Sequence, residues 1–439
     1  MEKIAPSQSK IKPLKDPAPD QEPGPTVTVL GLDDPGDLSP SALGLLGKAQ
    51  VVAGPARLLE AVSGHLTAEA QKIPLVSGLN HWLGEVKKSS SHGQMVILAD
   101  GDPNFFGLGA RVIEVFDDLR VTMKPAPTTV QKAFARMGVT WAGAEVVSLH
   151  GRQDYAPFFS AIFRAGQVTG SGFVAVYTDA TNNPALIASK LIERGQLNWK
   201  MTVFQELGLP GEAIWSGDLA KAQKSKFSPL NLTVLERTKL PKVLTLGAPE
   251  SAYDHQAGLI TKSEVRTAIL GLLELSGHET LWDLGCGSGS VSLDAGLLLR
   301  HGQVLSVEKD PQRAAQARQN RSKYGLAHVE VIEGQALEAM ADLPLPDRVF
   351  VGGGGRQLEY LIQGALSFLG RRGLIVVAVV RLDSLNLALS CLSSPDIKPT
   401  VTQISVSRGE SLAKSIYLKP INPVFLIKGK IIEIARYDL

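Results

Sequence analysis

The sequence predicts an α/β protein built mainly on parallel sheets, and three observations predict it. Short apolar runs alternate with helical patterns along most of the 439 residues. Those runs end in Gly, Asp or Pro, and in the second half strand, helix and strand follow one another through a complete doubly wound unit. At roughly 100 to 200 residues per domain, the length allows two to four domains. Lys+Arg 45 against Asp+Glu 43 leaves a formal charge of +2, too balanced for a broad basic field, so nucleic acid is not an expected partner. Only two cysteines occur, Cys286 and Cys391, which can build neither a disulfide framework nor a cysteine-rich zinc site and which suit a reducing cytoplasm. The strongest apolar run, residues 374–380, is far short of the ~20 residues of a spanning helix, so no membrane segment is expected. Residues 1–25 mix lysine, proline and polar residues without the apolar core of a secretory signal, and read as a flexible tail.

From Thr26 the runs TVTVLGL, AQVVAGP, QMVILADGD, AEVVSLHGR and SGFVAVYTD are the expected strands. Between them, Ser39 before Pro40, Thr128 and Thr129 before VQKAFARMG, and Asn183 before Pro184 have the form of N-caps, with Gly138 and Gly195 as helix stops. A lysine-rich stretch, residues 221–242, carries the strand-like NLTVL, and the boundary to a second block is placed at residues 239–249. Beyond it come a helix over 263–273, strand TLWDLG, a helix, strand QVLSVEKD, helix PQRAAQARQNRSKYG, strands VEVIEG and DRVFVGGGG, a helix, and strand GLIVVAVV. ISVSRGESL and NPVFLIKGKIIEI then read as an antiparallel hairpin at the sheet edge. In LITKSEVR, Thr261 and Glu264 have the T-x-x-E spacing of a capping box.

The sharpest chemical signal is WDLGCGSGS, in which Asp283 precedes glycines 285, 287 and 289 between a strand and a helix. Glycines there let the backbone turn tightly and let a ligand lie against it. A dinucleotide fingerprint would space its third glycine three positions after the second, whereas Gly289 follows Gly287 by two, which disfavours an NAD-linked oxidoreductase. The spacing resembles motif I of class I S-adenosylmethionine-dependent methyltransferases. Glu308 ends the next strand, where an acid can accept hydrogen bonds from two ribose hydroxyls. Gln335, beside Ala336, stands where this class usually carries an acid near the adenine amine; its side-chain carbonyl can accept from the same group. Four glycines, 352 to 355, replace the Asn/Asp-Pro-Pro-aromatic motif of amino-group methyltransferases, so an exocyclic amine is not the expected acceptor, and a loop without side chains admits a broad, flat substrate.

The first half carries six ordered motifs, VTVLGLDDPGDLSPSAL, LADGDPNFFGLG, KPAPTTVQKAFARMG, VVSLHGR, YTDATNNPALIASKL and FQELGLPGEAI, which together resemble the tetrapyrrole (corrin/porphyrin) methylases. The second half, from AYDHQAGLITKSEVR through WDLGCGSGS to FVGGGG, resembles the decarboxylating precorrin methyltransferases. The joint resemblance implies two α/β subdomains of the tetrapyrrole methylase fold over residues 26–240, followed by a Rossmann-like methyltransferase domain over 241–439. It also implies methylation of a precorrin at C-5 by the first and at C-15 by the second, with loss of carbon dioxide from the ring C acetate. Two S-adenosylmethionine sites, no metal and a homo-oligomer are further implications. Asp33 and Asp34 stand where many tetrapyrrole methylases have a glycine-proline turn.

Transfer of a methyl group to an electron-rich ring carbon is mainly a positioning task, so binding residues rather than a catalytic dyad are expected. Matching motifs make Asp102, Thr128 and Thr129 the cofactor candidates of the first half, although turn and cap roles would also explain them. Thr261, Asp283, Gly285, Gly287, Gly289, Glu308, Gln335 and Ala336 are those of the second. His150 and Arg152 in SLHGR, with His255 and Arg266, are candidates for meeting substrate carboxylates or moving a proton. Gly353, Gly354 and Arg356 are the substrate-binding candidates. Cys286 is read as a small filler. Two other readings stay open: a cobalt-containing precorrin as substrate, and one domain that only binds cofactor as a scaffold.

Overall fold

The structure is a computed structural model that describes residues 26–33, 38–76, 78–89, 93–256, 258–412 and 415–431, to which every structural statement below refers. Residues 1–25 and Asp34 lie outside the described residues. The chain divides after Val139 into two compact units, and the residues on either side of position 240 fall in the same unit.

The first unit is one parallel sheet with helices. Its strands are β1 (Thr26–Leu32), β2 (Val51–Gly54), β3 (Gln71–Pro74), β4 (Gln94–Asp100) and β5 (Arg120–Lys124), ordered β3-β2-β4-β1-β5. Its helices are α1 (Pro40–Leu46), α2 (Ala56–Ala61), α3 (Leu79–Lys88), α4 (Gly109–Val115) and α5 (Thr129–Met137). The central strands are near-continuous apolar runs because both faces are covered, as parallel sheets require. Val29, Val52, Val96 and Ile97 are wholly buried. Local chemistry sets the helix starts. Ser39 accepts from the Ala42 amide at 3.2 Å, and Thr128 forms a full capping box with Gln131, while Gly138 ends α5 in the left-handed region at φ +68°.

The second unit holds two sheets. One is ordered β6-β7-β10-β8-β9, from β6 (Glu145–Ser148), β7 (Phe173–Tyr177), β8 (Trp199–Gln205), β9 (Ala213–Asp218) and β10 (Asn231–Arg237); β6 and β7 are parallel and the other neighbours antiparallel. Helices α6 (Ala156–Gly166), α7 (Pro184–Glu193) and α8 (Leu219–Ala222) accompany it, with Asn183 capping α7 through the Leu186 amide at 3.0 Å. The other sheet joins β11 (Thr280–Leu284), β12 (Gln303–Glu308), β13 (Val329–Glu333), β14 (Arg348–Val351), β15 (Leu374–Val379), β16 (Ile397–Leu412) and β17 (Ser415–Ile431) in the order β13-β12-β11-β14-β15-β17-β16. Its first five strands run parallel, and β17 and β16 add an antiparallel ribbon at the edge, as the sequence predicts. Around it lie α9 (Ser263–Leu273), α10 (Ser290–Leu298), α11 (Pro311–Tyr324), α12 (Ala336–Ala339), α13 (Leu358–Phe368) and α14 (Leu382–Leu392). The two sheets share a packed seam. Phe163 of α6 belongs to the core of the second sheet and stacks on the buried His328 ring, with centroids 4.2 Å apart. Burial brings that imidazole down to about 4, so it stays neutral inside the seam.

The capping box expected at Thr261 and Glu264 does not form. The N-cap of α9 is Lys262, with no side-chain cap, and the Glu264 carboxylate turns instead to Arg408 on the edge ribbon, at 2.9 and 2.6 Å. Arg408 also grips Glu250 at 2.8 and 2.9 Å. Its hydrogen bonds hold both carboxyls at about 2, well under the usual range. A depressed carboxyl pKa contributes stability that is present above the unfolded value and lost as pH falls through the folded one. Arg408→Met should therefore move acid unfolding, followed by circular dichroism, to higher pH. Because Arg408 and Glu264 are about 40% exposed, the shift will be small.

Candidate active site

The carboxyl ends of β11, β12, β13 and β14 converge on a cavity of about 470 Å³. It lies at the switch point, where the chain leaves β11 for β12 on one side and β14 takes its place on the other. Gly285, Glu308, Gln335, Ala336, Gly353, Gly354 and Arg356 line it, so seven of the residues expected from sequence come together there. Lys309, Arg313 and Gln357 also line it and went unnoticed in the sequence.

The glycine turn is shaped by its backbone. Gly285, Gly287 and Gly289 have φ of +85°, +58° and +81°, the left-handed region where any Cβ is strained. At Gly289 space matters too, since a Cβ would lie 3.1 Å from that of Ala317 and push α10 away from α11. Glu308, 3% exposed, fastens the turn to its own strand end: it accepts from the Gly287 amide and the Asp310 amide, each at 2.9 Å, and pairs with Arg313 at 2.9 Å. A carboxylate offers about four acceptor positions, so one remains for a ligand hydroxyl. Arg313 was legible as a cation in the first turn of the helix that follows an acid-ended strand.

Asp283 lies behind the turn rather than in the cavity wall. It is fully buried, accepts from the Ser292 hydroxyl on one oxygen and has no partner on the other. Burial, assisted by the nearby Glu308 charge, pushes its carboxyl up to about 7. A raised carboxyl pKa stabilises the fold fully below the unfolded value of 3.8, and that contribution is lost as pH climbs through about 7. Asp283→Asn should remove this slope: between about pH 4 and 7 the unfolding free energy of the parent should fall by up to roughly 1.4 kcal/mol per pH unit more than that of the variant. Chemical denaturation at several pH values reads the two slopes, and parallel slopes would contradict the assignment. The same burial, with the Asp283 and Glu308 charges, holds the Cys286 thiol well above its usual value, so it is an inert filler.

Across the cavity, the glycine run is a packed surface. A Cβ on Gly352 would sit 3.0 Å from the Phe350 ring, and one on Gly354 would press on Leu358 and Leu361 at 3.0 and 3.1 Å. Gln335 and Arg356 are exposed, and neither side chain makes a hydrogen bond or ion pair among the described residues. Their free donors and acceptor are open to the cavity.

Other expected residues lie elsewhere. Arg266 lies away from the cavity: it is wholly buried, bonds Asp294 at 3.1 Å, the Thr261 carbonyl at 2.7 Å and the Ala248 carbonyl, and lies over the Tyr253 ring. A guanidinium with its donors so engaged holds the start of α9 in place and cannot reach solvent. Thr261 contributes that carbonyl and does not line the cavity, nor do Gly287 and Gly289. His255, half-buried, directs Nδ1 at the Gln256 carbonyl at 2.8 Å. The neighbouring Asp254 is tied through Asn320 to the Ser288 carbonyl of the glycine turn.

In the first unit, Asp102, Thr128 and Thr129 do meet at one corner. Gly101 packs so closely that its Cβ would lie 3.2 Å from the Thr128 Cα. There Asp102 accepts from the Asn104 amide at 2.9 Å, Thr128 caps α5 and Thr129 opens it. Asp33 pairs with Lys132 of α5. In the second unit, His150 and Arg152 follow β6 on an exposed loop, with His150 Nδ1 3.3 Å from the Thr178 carbonyl. Sequence reading missed what fixes that loop. Buried Asn182 donates to the carbonyls of Leu149 at 2.7 Å and Arg152 at 2.9 Å, and Asp179 accepts from the Gly151 amide at 2.6 Å. Both belong to YTDATNN, so this motif and SLHGR are two halves of one knot.

In a doubly wound sheet, a cavity at the switch point beside a glycine turn and a strand-end acid is where a nucleotide-like ligand binds. Comparison with known proteins specifies the chemistry. Residues 251–429 match the family described as Precorrin methyltransferase domain, and residues 29–223 that of Tetrapyrrole (Corrin/Porphyrin) Methylases. A Probable cobalt-precorrin-6B C(15)-methyltransferase (decarboxylating) of Pyrobaculum aerophilum is 39% identical over 186 residues, 42% of this chain and 95% of its own length. A Precorrin-6Y C(5,15)-methyltransferase [decarboxylating] of a Sinorhizobium species is 29% identical over 412 residues, 91% of this chain and 95% of its own length. A crystal structure of a precorrin-6y C5,15-methyltransferase from Geobacter metallireducens GS-15 is 34% identical, covering 42% of this chain and 97% of that one with a TM-score of 0.41. The chain belongs to the precorrin methyltransferase family, and it is a methyltransferase. Among the described residues no helix is long and apolar enough to cross a membrane.

Proposed function

We propose that the chain methylates precorrin-6B at C-5 and at C-15 and removes carbon dioxide from the ring C acetate, giving precorrin-8X in cobalamin biosynthesis. Residues 26–240 carry the C-5 transfer and residues 241–439 the C-15 transfer with decarboxylation, each with its own S-adenosylmethionine site. The cavity above β11 to β14 carries this reading. Its volume of about 470 Å³ lies within the ~300 to 1,000 Å³ of small-molecule sites. The residues fit the cofactor: the left-handed glycines leave backbone unshielded by any Cβ, Glu308 keeps an acceptor free, and the Gln335 amide is unengaged. When bound, the sulfonium nucleoside supplies an electrophilic methyl group.

The chain's own residues then position and desolvate. Gly353 and Gly354 form a bare floor for a flat ring, and Arg356 at the rim pairs a carboxylate. Carboxylates so paired are held, while the reacting acetate, left poorly solvated over the glycine run, is the one destabilised. Orientation alone can contribute up to ~7 to 11 kcal/mol, more than a single general base. The macrocycle takes the electrons left by carbon dioxide. Resemblance further supports a homo-oligomer, and the unpaired thiols of Cys286 and Cys391 support a reducing cytoplasm.

Mass measurement after incubation with precorrin-6B and isotopically labelled cofactor tests the reading. Two labelled methyl groups gained and one carbon dioxide lost is the expected product; one methyl without decarboxylation would remove residues 241–439 from it, leaving them a scaffold. The relatives named for cobalt-precorrin-6B favour a second reading in which the substrate holds cobalt. Parallel incubations with the metal-free and cobalt-containing substrates decide between the two.

A further inference from the structure

Away from the glycine turn, within the second unit, α7 and α11 face each other across a cavity of about 190 Å³. Each side contributes two cations to it: Lys190 of α7 and Arg194, which caps its end, at i, i+4, and Arg318 and Arg321 of α11 at i, i+3. Like charges at these spacings repel along each helix, and here the two pairs also face one another. Arg194 is matched by Glu330 at 2.8 Å, and Arg318 by Glu333 at 3.0 Å. Lys190 and Arg321 have no carboxylate partner among the described residues; Lys190 lies over the Tyr155 ring, 4.3 Å from its centroid. Glu193, also on the rim, is exposed and forms no ion pair.

Arg321 is the unusual member. It is 5% exposed, its Nε has no hydrogen-bond partner, and its other contact is a 3.3 Å bond from Nη2 to the Glu193 carbonyl. Burial, and then the neighbouring Arg194 and Arg318 charges, bring its guanidinium down to about 10. A buried cation without a counter-charge costs several kcal/mol, and a buried donor without an acceptor signals a missing partner. We propose that this cavity is a binding site for a phosphate dianion, free or as the terminal group of a phosphomonoester, held by Arg321 and Lys190 and flanked by Arg194 and Arg318. Lys190 and Arg321, offset only in part by Glu193 on the rim, leave an excess of positive charge that calls for an anion. A guanidinium fork and an ammonium, with two guanidinia beside them, offer more donors than one carboxylate accepts from, and the four oxygens of a phosphate engage more of them.

Calorimetric titration of the full chain tests this, with inorganic phosphate in one arm, glycerol phosphate in a second and acetate in a third, at fixed ionic strength. Saturable heat with phosphate and none with acetate is expected; equal binding of glycerol phosphate assigns the site to phosphomonoesters, and its exclusion to the free ion. Arg321→Met should weaken phosphate at least roughly tenfold, while its thermal midpoint in chloride alone equals or exceeds that of the parent, since a buried unmatched charge is gone. A purely structural arginine would give the opposite: a lower midpoint and an unchanged titration. No phosphate heat in the parent, or the same affinity in the variant, overturns the site. Should Arg321→Met fail to fold, Lys190→Met with Arg318→Met, on side chains nearer solvent, must abolish the phosphate heat instead.

Discussion

Glu308→Ala is expected to turn a two-methyl, decarboxylating enzyme into a one-methyl enzyme. The carboxylate makes three contacts at once, to the Gly287 amide, the Asp310 amide and Arg313, each at 2.9 Å, and none of them leaves the second unit. Removing it frees the glycine turn from the end of β12, orphans two amides, and deletes the acceptor proposed for the cofactor. Each charge-assisted bond lost is worth about 1.5 to 3 kcal/mol, so S-adenosylmethionine should bind this site roughly 10- to 100-fold or more weakly. On the proposed reading of one cofactor site per half, titration of the full chain should then lose one of the two tight sites, and the product should carry one labelled methyl and retain its acetate carboxyl. The variant has an internal check. Glu308 also raises the Asp283 carboxyl, so its loss should lower that pKa and flatten the fall of stability toward neutral pH. If both methyl groups and the decarboxylation survive, the cavity above β11 to β14 is not the C-15 site.

The parts of this site that sequence made legible are those set by local backbone demands. A strand that ends in glycine and must turn left-handed announces itself, and so do β11, β12 and the run 352 to 355, because parallel strands buried on both faces are continuous apolar runs. The strands that escaped notice, β3, β5, β8 and β9, are short, lie at or near sheet edges, or mix lysine and arginine with apolar residues, as QKIP and RVTMK do. T-x-x-E at Thr261 failed for a different reason: Glu264 meets an arginine 144 residues further along, and that competitor has no local trace. Asp179 and Asn182 were likewise hidden, since they act on a loop about 30 residues back. Arg266, by contrast, was readable. It shares a helical stripe with Ile269, Leu270 and Leu273, all buried, and a cation on that stripe is committed to the interior before any partner is known.

That placement makes Arg266→Met the most damaging single change expected for the fold. The substitution removes a wholly buried guanidinium and strands its partner: Asp294, also wholly buried, would keep the Tyr253 hydroxyl and the Gly247 amide but lose its cation. The Thr261 and Ala248 carbonyls lose their donors at the same time. Breaking a buried pair from one side costs about 3 to 5 kcal/mol, a large part of the ~5 to 15 kcal/mol that holds a domain together. Arg266→Met with Asp294→Asn should recover much of that loss, because the uncompensated charge is gone. Arg266→Lys should recover less, since an ammonium cannot span the aspartate and two carbonyls in the plane the guanidinium uses. Denaturant midpoints give the ranking, and kcat and KM at a temperature where every variant is folded give the role. Unchanged kinetics in the folded double variant are the expected result. A double variant as stable as the parent but unable to lose carbon dioxide would return Arg266 to the substrate.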